Sequence, residues 1–154
     1  MNKKLDLLLR KNIGKQKAVL YKNVFKNSGF NDDELELVLL ENSEIIIDKL
    51  KGGYSDIKRV VEIIKADLLF IDSDLMRKIY LKLSENSKCY IYTDDYLYCG
   101  IYKVSSKKAF ELAFNVAKID IQNTCFLLDT DFNYSILINY IEETNLLDIQ
   151  LWSY

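Results

Sequence analysis

Histidine and proline are both missing from this chain, while glycine occurs five times, cysteine three times and arginine three times. Without histidine, the usual general base and metal ligand near neutral pH is gone, and any catalysis would rest on Asp, Glu, Lys, Tyr or Cys. With no proline there is no proline-rich linker, and no repeat or low-complexity tract divides the chain. Its 154 residues, 49% of them hydrophobic, are enough to bury roughly two thirds of the unfolded surface, so residues 1–154 are expected to form one domain. Cys89, Cys99 and Cys125 are odd in number and lie in apolar, strand-like settings. That suits buried thiols in a reducing compartment better than a disulfide framework. Near the N-terminus the apolar run Leu7-Leu8-Leu9 is bracketed by Asp6 and Arg10, far short of a secretory or membrane-spanning segment. A cytoplasmic protein with no membrane association is expected.

Phosphate-loop and metal chemistry find little support. Gly52-Gly53 lacks the Gly-Lys-Ser/Thr ending of a phosphate-binding loop, and Gly14 and Gly29 stand alone. The aspartate pairs Asp72/Asp74, Asp94/Asp95 and Asp129/Asp131 could serve a hard cation only if several of them converged. Each pair already suits a helix cap or a turn, where Asp bonds its own backbone. A cysteine nucleophile at Cys99 would have to work without a histidine partner. The expectation is therefore a non-enzymatic protein with no metal, no cofactor and no catalytic residue.

What the chain does have is charge in blocks. Residues 1–26 carry eight Lys/Arg against Asp6, a net of +7, and residues 27–48 carry seven acids and no base, a net of −7. A basic arm for nucleic acid is one reading, and a nucleic-acid-binding or regulatory domain led by residues 1–26 is the alternative function. An adjacent acidic block would compete for the same lysines, however, and arginine, the usual reader of bases and phosphates, is scarce. Two neighbouring helices with complementary charged faces explain the pattern without a ligand, and no direct nucleic-acid contact is expected.

Periodicity predicts a mainly helical segment to residue 86. Leu5, Leu8 and Leu9 mark an opening helix broken at Asn12-Ile13-Gly14, and a second helix runs from Lys15 to Lys26 until Ser28-Gly29 stops it. Asn31 with Glu34 three residues on forms a capping box for a helix carrying Leu35, Val38 and Leu39, interrupted at Asn42-Ser43 before Ile46 and Leu50. After the Gly52-Gly53 break, Ser55 would cap a helix with Ile57, Val60, Val61 and Ile64 on one face. Leu68–Ile71 reads as helix tail or short strand. Asp72 or Ser73 then caps a helix with Met76, Ile79, Tyr80 and Leu83 on one face.

From Lys88 the period changes to 2. Cys89–Thr93 and Tyr96–Val104 read as a hairpin turning on Asp94-Asp95, with a register open by one residue because this is not an Asn-Gly turn. A three-residue loop would align Tyr90, Tyr92 and Tyr98 on one face as a tyrosine wall; a two-residue loop would not. Next comes a helix capped by Ser105 with Phe110, Ala113, Phe114 and Ala117 at core spacing, then the run from Thr124 to Trp152. Residues 134–142 fit either a helix stripe or alternation, and flanking turn-formers favour a three-stranded meander. The fold class is α+β, a helical N-terminal half packed on a small, mainly antiparallel sheet with one helix, β-β-α-β-β-β.

The amphipathic helix Ala109–Lys118, the acidic-aromatic turn Leu128-Asp-Thr-Asp-Phe132 and the alternating Tyr134–Ile141 resemble the C-terminal region of immunity proteins from bacterial contact-dependent growth inhibition and other polymorphic toxin systems. The resemblance is confined to the C-terminal half. It implies a small cytoplasmic protein that binds and blocks a cognate toxin domain, often a nuclease, and it carries over no individual residue. A nuclease must hold a polyanion, so an inhibitor gains by presenting negative charge to it. Residues 88–154 have five lysines and nine acids, a net of −4, against +2 for residues 1–87. Asp94, Asp95, Asp129 and Asp131, with Tyr96 and Tyr98 as aromatic anchors, are therefore the expected partner-binding surface.

Overall fold

In the computed structural model, which describes residues 2–52, 58–66, 74–83 and 86–153, the first helix begins at Asn2. The Asn2 side chain accepts from the Lys4 N–H at 3.1 Å, and α1 runs unbroken over Lys3–Ser28. Gly29 ends it in the left-handed region at φ 119°. The expected break at Gly14 is absent for a packing reason. Gly14 is buried, and the Tyr98 carbonyl lies where its side chain would be, so this glycine lets a neighbouring segment approach α1 closely. Asn31 and Glu34 do pair, through the Asn31 N–H to Glu34 Oε2 at 2.8 Å, but they cap a single 3₁₀ turn, Asp32–Glu34. A short strand follows, β1 (Glu36–Val38), and α2 (Leu40–Gly52) starts only there. The interruption expected at Asn42-Ser43 thus falls earlier in the chain. Leu39 accepts the first-turn N–H groups of Asn42 and Ser43, and the Ser43 hydroxyl donates to the Leu40 carbonyl at 2.8 Å.

The largest correction is β2 (Lys58–Lys65), which replaces the helix expected over residues 57–64. Val60, Val61 and Ile64 fit helical spacing, yet β-branched side chains prefer a pleated surface, and eight consecutive pairings with a later strand decide the outcome. The expected Ser55 cap, Gly53, Leu68–Ile71 and Asp72 lie outside the described residues. α3 (Asp74–Lys82) buries Met76 and Ile79 of the expected stripe, but Leu75 joins them and Tyr80 is exposed.

Beyond residue 87 the order of elements follows expectation, with one addition. β3 (Lys88–Tyr92) and β4 (Ile101–Ser105) are antiparallel partners, but α4, a one-turn helix over Tyr96–Cys99, separates them. Neither tight-turn register occurs: Tyr90 lies opposite Lys103 and Ile91 opposite Tyr102. α5 (Ser106–Ile119), with Ser105 at its N-cap, leads to the meander β5 (Thr124–Asp129), β6 (Tyr134–Ile141) and β7 (Leu146–Ser153).

All seven strands join one antiparallel sheet in the order β1-β4-β3-β5-β6-β7-β2. The fold is α+β, and its mainly helical N-terminal half supplies both edge strands. One sheet face carries Cys89, Ile91, Tyr102, Cys125, Leu127, Ile136, Ile138, Leu147 and Ile149. Onto it pack α1 through Tyr21 and Phe25, α3 through Leu75 and Ile79, and α5 through Phe110, Ala113 and Ala117. Tyr21 stacks on Tyr102 with centroids 5.6 Å apart and donates its hydroxyl to the Gly100 carbonyl at 3.0 Å. The opposite face is covered by α2 at one corner, where Ile47 and Leu50 meet Tyr92, Ile101 and Leu128. No described helix is long and apolar enough to cross a membrane.

Candidate functional site

Beyond the aromatic rings of the main core, a second group of aromatic side chains gathers on the opposite face of the sheet. Strand alternation sends Tyr90 and Tyr92 to the α2 side while Cys89 and Ile91 enter the main core. The register places Phe126 beside Tyr92, and their rings stack with centroids 5.1 Å apart. One residue past the turn at Asp94-Asp95, α4 brings Tyr96 edge-on to Tyr92, again at 5.1 Å. Two strands further along, Ser135 lies opposite Trp152. α2 forms the other wall with Ile47 and Leu50, and the space between is a cleft of about 240 Å³ that also takes in Asp94.

Asp94 is the charged residue lining this cleft. Partial burial raises its carboxyl above the ordinary range, the nearby Asp120 charge adds to the rise, and a hydrogen bond from Thr124 works the other way. Tyr96 is likewise raised, first by burial and then by the charges of Asp94, Asp48 and Glu44. An exposed carboxylate therefore lines the same cleft as four aromatic rings, with further negative charge close by. At the far rim Arg59 lies 5.6 Å over the Trp152 ring, held by a 2.7 Å hydrogen bond to Gln150 Oε1.

The six residues expected to form one partner surface are not brought together. Asp94 and Tyr96 share the cleft. Asp95 faces α1, where Lys17 pairs with it at 2.8 Å, and the same ammonium sits 4.9 Å over the Tyr98 ring. Tyr98 lines a separate groove of about 260 Å³ with Gly14, Lys15 and Leu39. Asp129 is only 6% exposed and is occupied by its own turn, accepting from the Asn133 N–H at 3.1 Å and the Asn133 side chain at 2.9 Å. Asp131 is exposed, but at the opposite end of β5 from Asp94. At a strand rise of about 3.3 Å per residue those two ends are about 17 Å apart. Asp129 therefore leaves the candidate surface, and Asp131 belongs to another part of it. Phe126 and Trp152, which sequence reasoning did not select, join instead. Alternation alone puts Phe126 opposite in face to Cys125 and Leu127, but only the strand order makes it a neighbour of Tyr92.

The three cysteines are placed unfavourably for nucleophilic chemistry. Burial pushes the Cys89 thiol up to about 12 and Cys99 to about 11, and raises Cys125 well above its ordinary value, so thiolate is scarce at neutral pH. Among the described residues no three potential ligands cluster as a metal site. The basic N-terminal block is largely engaged. Arg10 pairs with Glu44 and Asp6, Lys11 with Glu41, and Lys22 and Lys26 with Asp32, so the two charge blocks meet as complementary faces. No protein-family model, curated protein or solved structure matches this chain.

Proposed function

We propose that this protein is a cytoplasmic, non-enzymatic inhibitor of the immunity type, which binds a cognate toxin domain and blocks it. The observation that carries the reading is the cleft itself: Tyr92, Tyr96, Phe126 and Trp152 stand around one accessible space beside the carboxylate of Asp94. Large aromatic side chains offer contact area at low entropic cost and dominate binding hot spots. A carboxylate among them favours a positively charged partner, and a nuclease domain, built to hold a polyanion, is such a partner. The net charge of −4 over residues 88–154 points the same way. A stable complex would bury about 800 Å² on each side, which extends the contact from the cleft over its α2 and α4 rims.

An immunity protein is expected to be encoded directly downstream of a large secreted toxin, so the test is expression of the C-terminal domain of the upstream gene product, with and without this protein. Restored growth together with co-elution of the two purified chains is the expected result. Unrelieved toxicity with no complex at micromolar concentrations would remove the reading.

A further inference from the structure

We infer that the cleft between α2 and the sheet is a cation-accepting pocket that takes one arginine or lysine side chain from the partner. The inference rests on the proposed function for whose side chain it is, but not for the pocket's chemistry. Three kinds of occupant can be weighed. An anion would meet Asp94 directly, with Glu44 and Asp48 near enough to act on Tyr96. A neutral apolar group would match Ile47, Leu50 and the rings, yet seating it against Asp94 would strip water from a carboxylate that is exposed in the free protein and leave it without compensation. A cation satisfies both parts: its charge meets Asp94, and its flat or methylene-bearing body lies against aromatic faces, whose quadrupole attracts it.

The neighbouring charges leave that role open. Asp95 is engaged by Lys17 and Glu44 by Arg10. Asp94 forms no ion pair among the described residues; the groups acting on it are Asp120, Thr124 and Asp95. Arg59, the cation already over the Trp152 ring, is not among the residues lining the cleft and is tied to Gln150. The same face shows that its rings accept cations, since Lys49 lies 4.4 Å over Phe132. At about 240 Å³ the space is smaller than the roughly 300–1,000 Å³ typical of small-molecule sites, which suits a single inserted side chain.

Trp152 is the chain's one tryptophan and lines the cleft, so its fluorescence reports occupancy directly. The probes are N-acetyl-arginine methylamide and its neutral isostere N-acetyl-citrulline methylamide, titrated at constant ionic strength. A saturable change with the arginine probe alone is expected, weakened about tenfold or more by Asp94→Asn and by Tyr96→Leu but not by Asp131→Asn. Circular dichroism of each variant separates loss of binding from loss of fold. An equal response to citrulline would identify a neutral occupant and overturn the assignment. So would the absence of any saturable response up to about 100 mM, or an unchanged titration in folded Asp94→Asn. The toxin complex separates the two proposals. If the toxin domain binds wild type and Asp94→Asn equally well, the pocket assignment falls and the proposed function stands. An Asp94-dependent arginine site in a protein that binds no toxin leaves the pocket standing and removes the proposed function.

Discussion

A methyl group added at Gly14 would stand 2.0 Å from the Tyr98 carbonyl oxygen, a backbone atom that no rotamer change can move away. Two effects compete there. Alanine in a helix interior is favoured over glycine by about 1 kcal/mol, whereas forcing extra volume into a tight contact costs about 1–3 kcal/mol. Because the obstacle is backbone and α4 would have to shift, the second effect wins. Gly14→Ala should destabilise the protein by up to about 2 kcal/mol in urea denaturation. A stabilised variant would mean that Gly14 serves as a helix interruption, as its bare sequence context suggests. The same residue shows what was legible and what was not. A lone glycine in a helical pattern looks like punctuation, and only the partner segment, distant in sequence, reveals it as a contact. Asp94 and Tyr96 were legible as surface candidates because a turn places both there, and both line the cleft. Trp152 and Phe126 were not, because their neighbourhood is made by strand order and not by any local spacing.

At the scale of elements, long clean periods read correctly. The stripe of α5, with Phe110, Ala113, Phe114 and Ala117, and the alternation through β5, β6 and β7 both appear where the pattern places them. β2 was misread because valine and isoleucine at 60, 61 and 64 satisfy two periods at once, and pairing with β7 chooses between them. The charge blocks were legible too, and their pairing carries a pH signature. Lys22 and Lys26 hold the Asp32 carboxyl below its ordinary range; Lys108 does the same for Glu34, and Lys11 for Glu41. A depressed folded-state value contributes stability above the unfolded value, near 4, and that contribution is lost as pH falls through the folded value. Asp94, raised by burial, has the opposite sign: it opposes folding when ionised, and acid relieves it. With Asp74, held down by Lys78 in the same way, four groups outweigh one, so the urea midpoint should fall between about pH 5 and pH 3. Asp32→Asn should make that fall shallower, and about 1 M salt should do so as well, since these pairs are exposed and screened. A midpoint flat across that interval would show that the pairs do not fasten α1 and its following turn to the rest.

For the whole molecule, the division into a helical half and a β half describes composition better than assembly. β1 and β2 flank the five strands contributed by residues beyond 87, and Tyr21, Phe25, Leu75 and Ile79 pack against that sheet's inner face. A fragment covering residues 87–154 would leave β4 and β7 as open edges and uncover the apolar face on which α1 and α3 rest. Such a fragment should show no cooperative thermal transition and should aggregate. Co-expression with a fragment covering residues 1–86 should restore a folded complex, checked by circular dichroism and size exclusion. Cooperative melting of the isolated fragment would show instead that the β-rich part holds itself together.

The pairing of β2 with β7 also has a temporal side. Lys65 meets Leu146, so β2 must wait while everything between them is synthesised. At about 5–20 residues per second, a ribosome takes on the order of ten seconds over that stretch. In every round of synthesis, then, a β-branched segment bearing the apolar side chains of Val61 and Ile63 exists with no strand of its own to meet. Lys58, Arg59, Glu62 and Lys65, spaced through the same eight residues, are the kind of gatekeeping charges that keep a nascent chain from pairing with its neighbours on the polysome until β7 emerges.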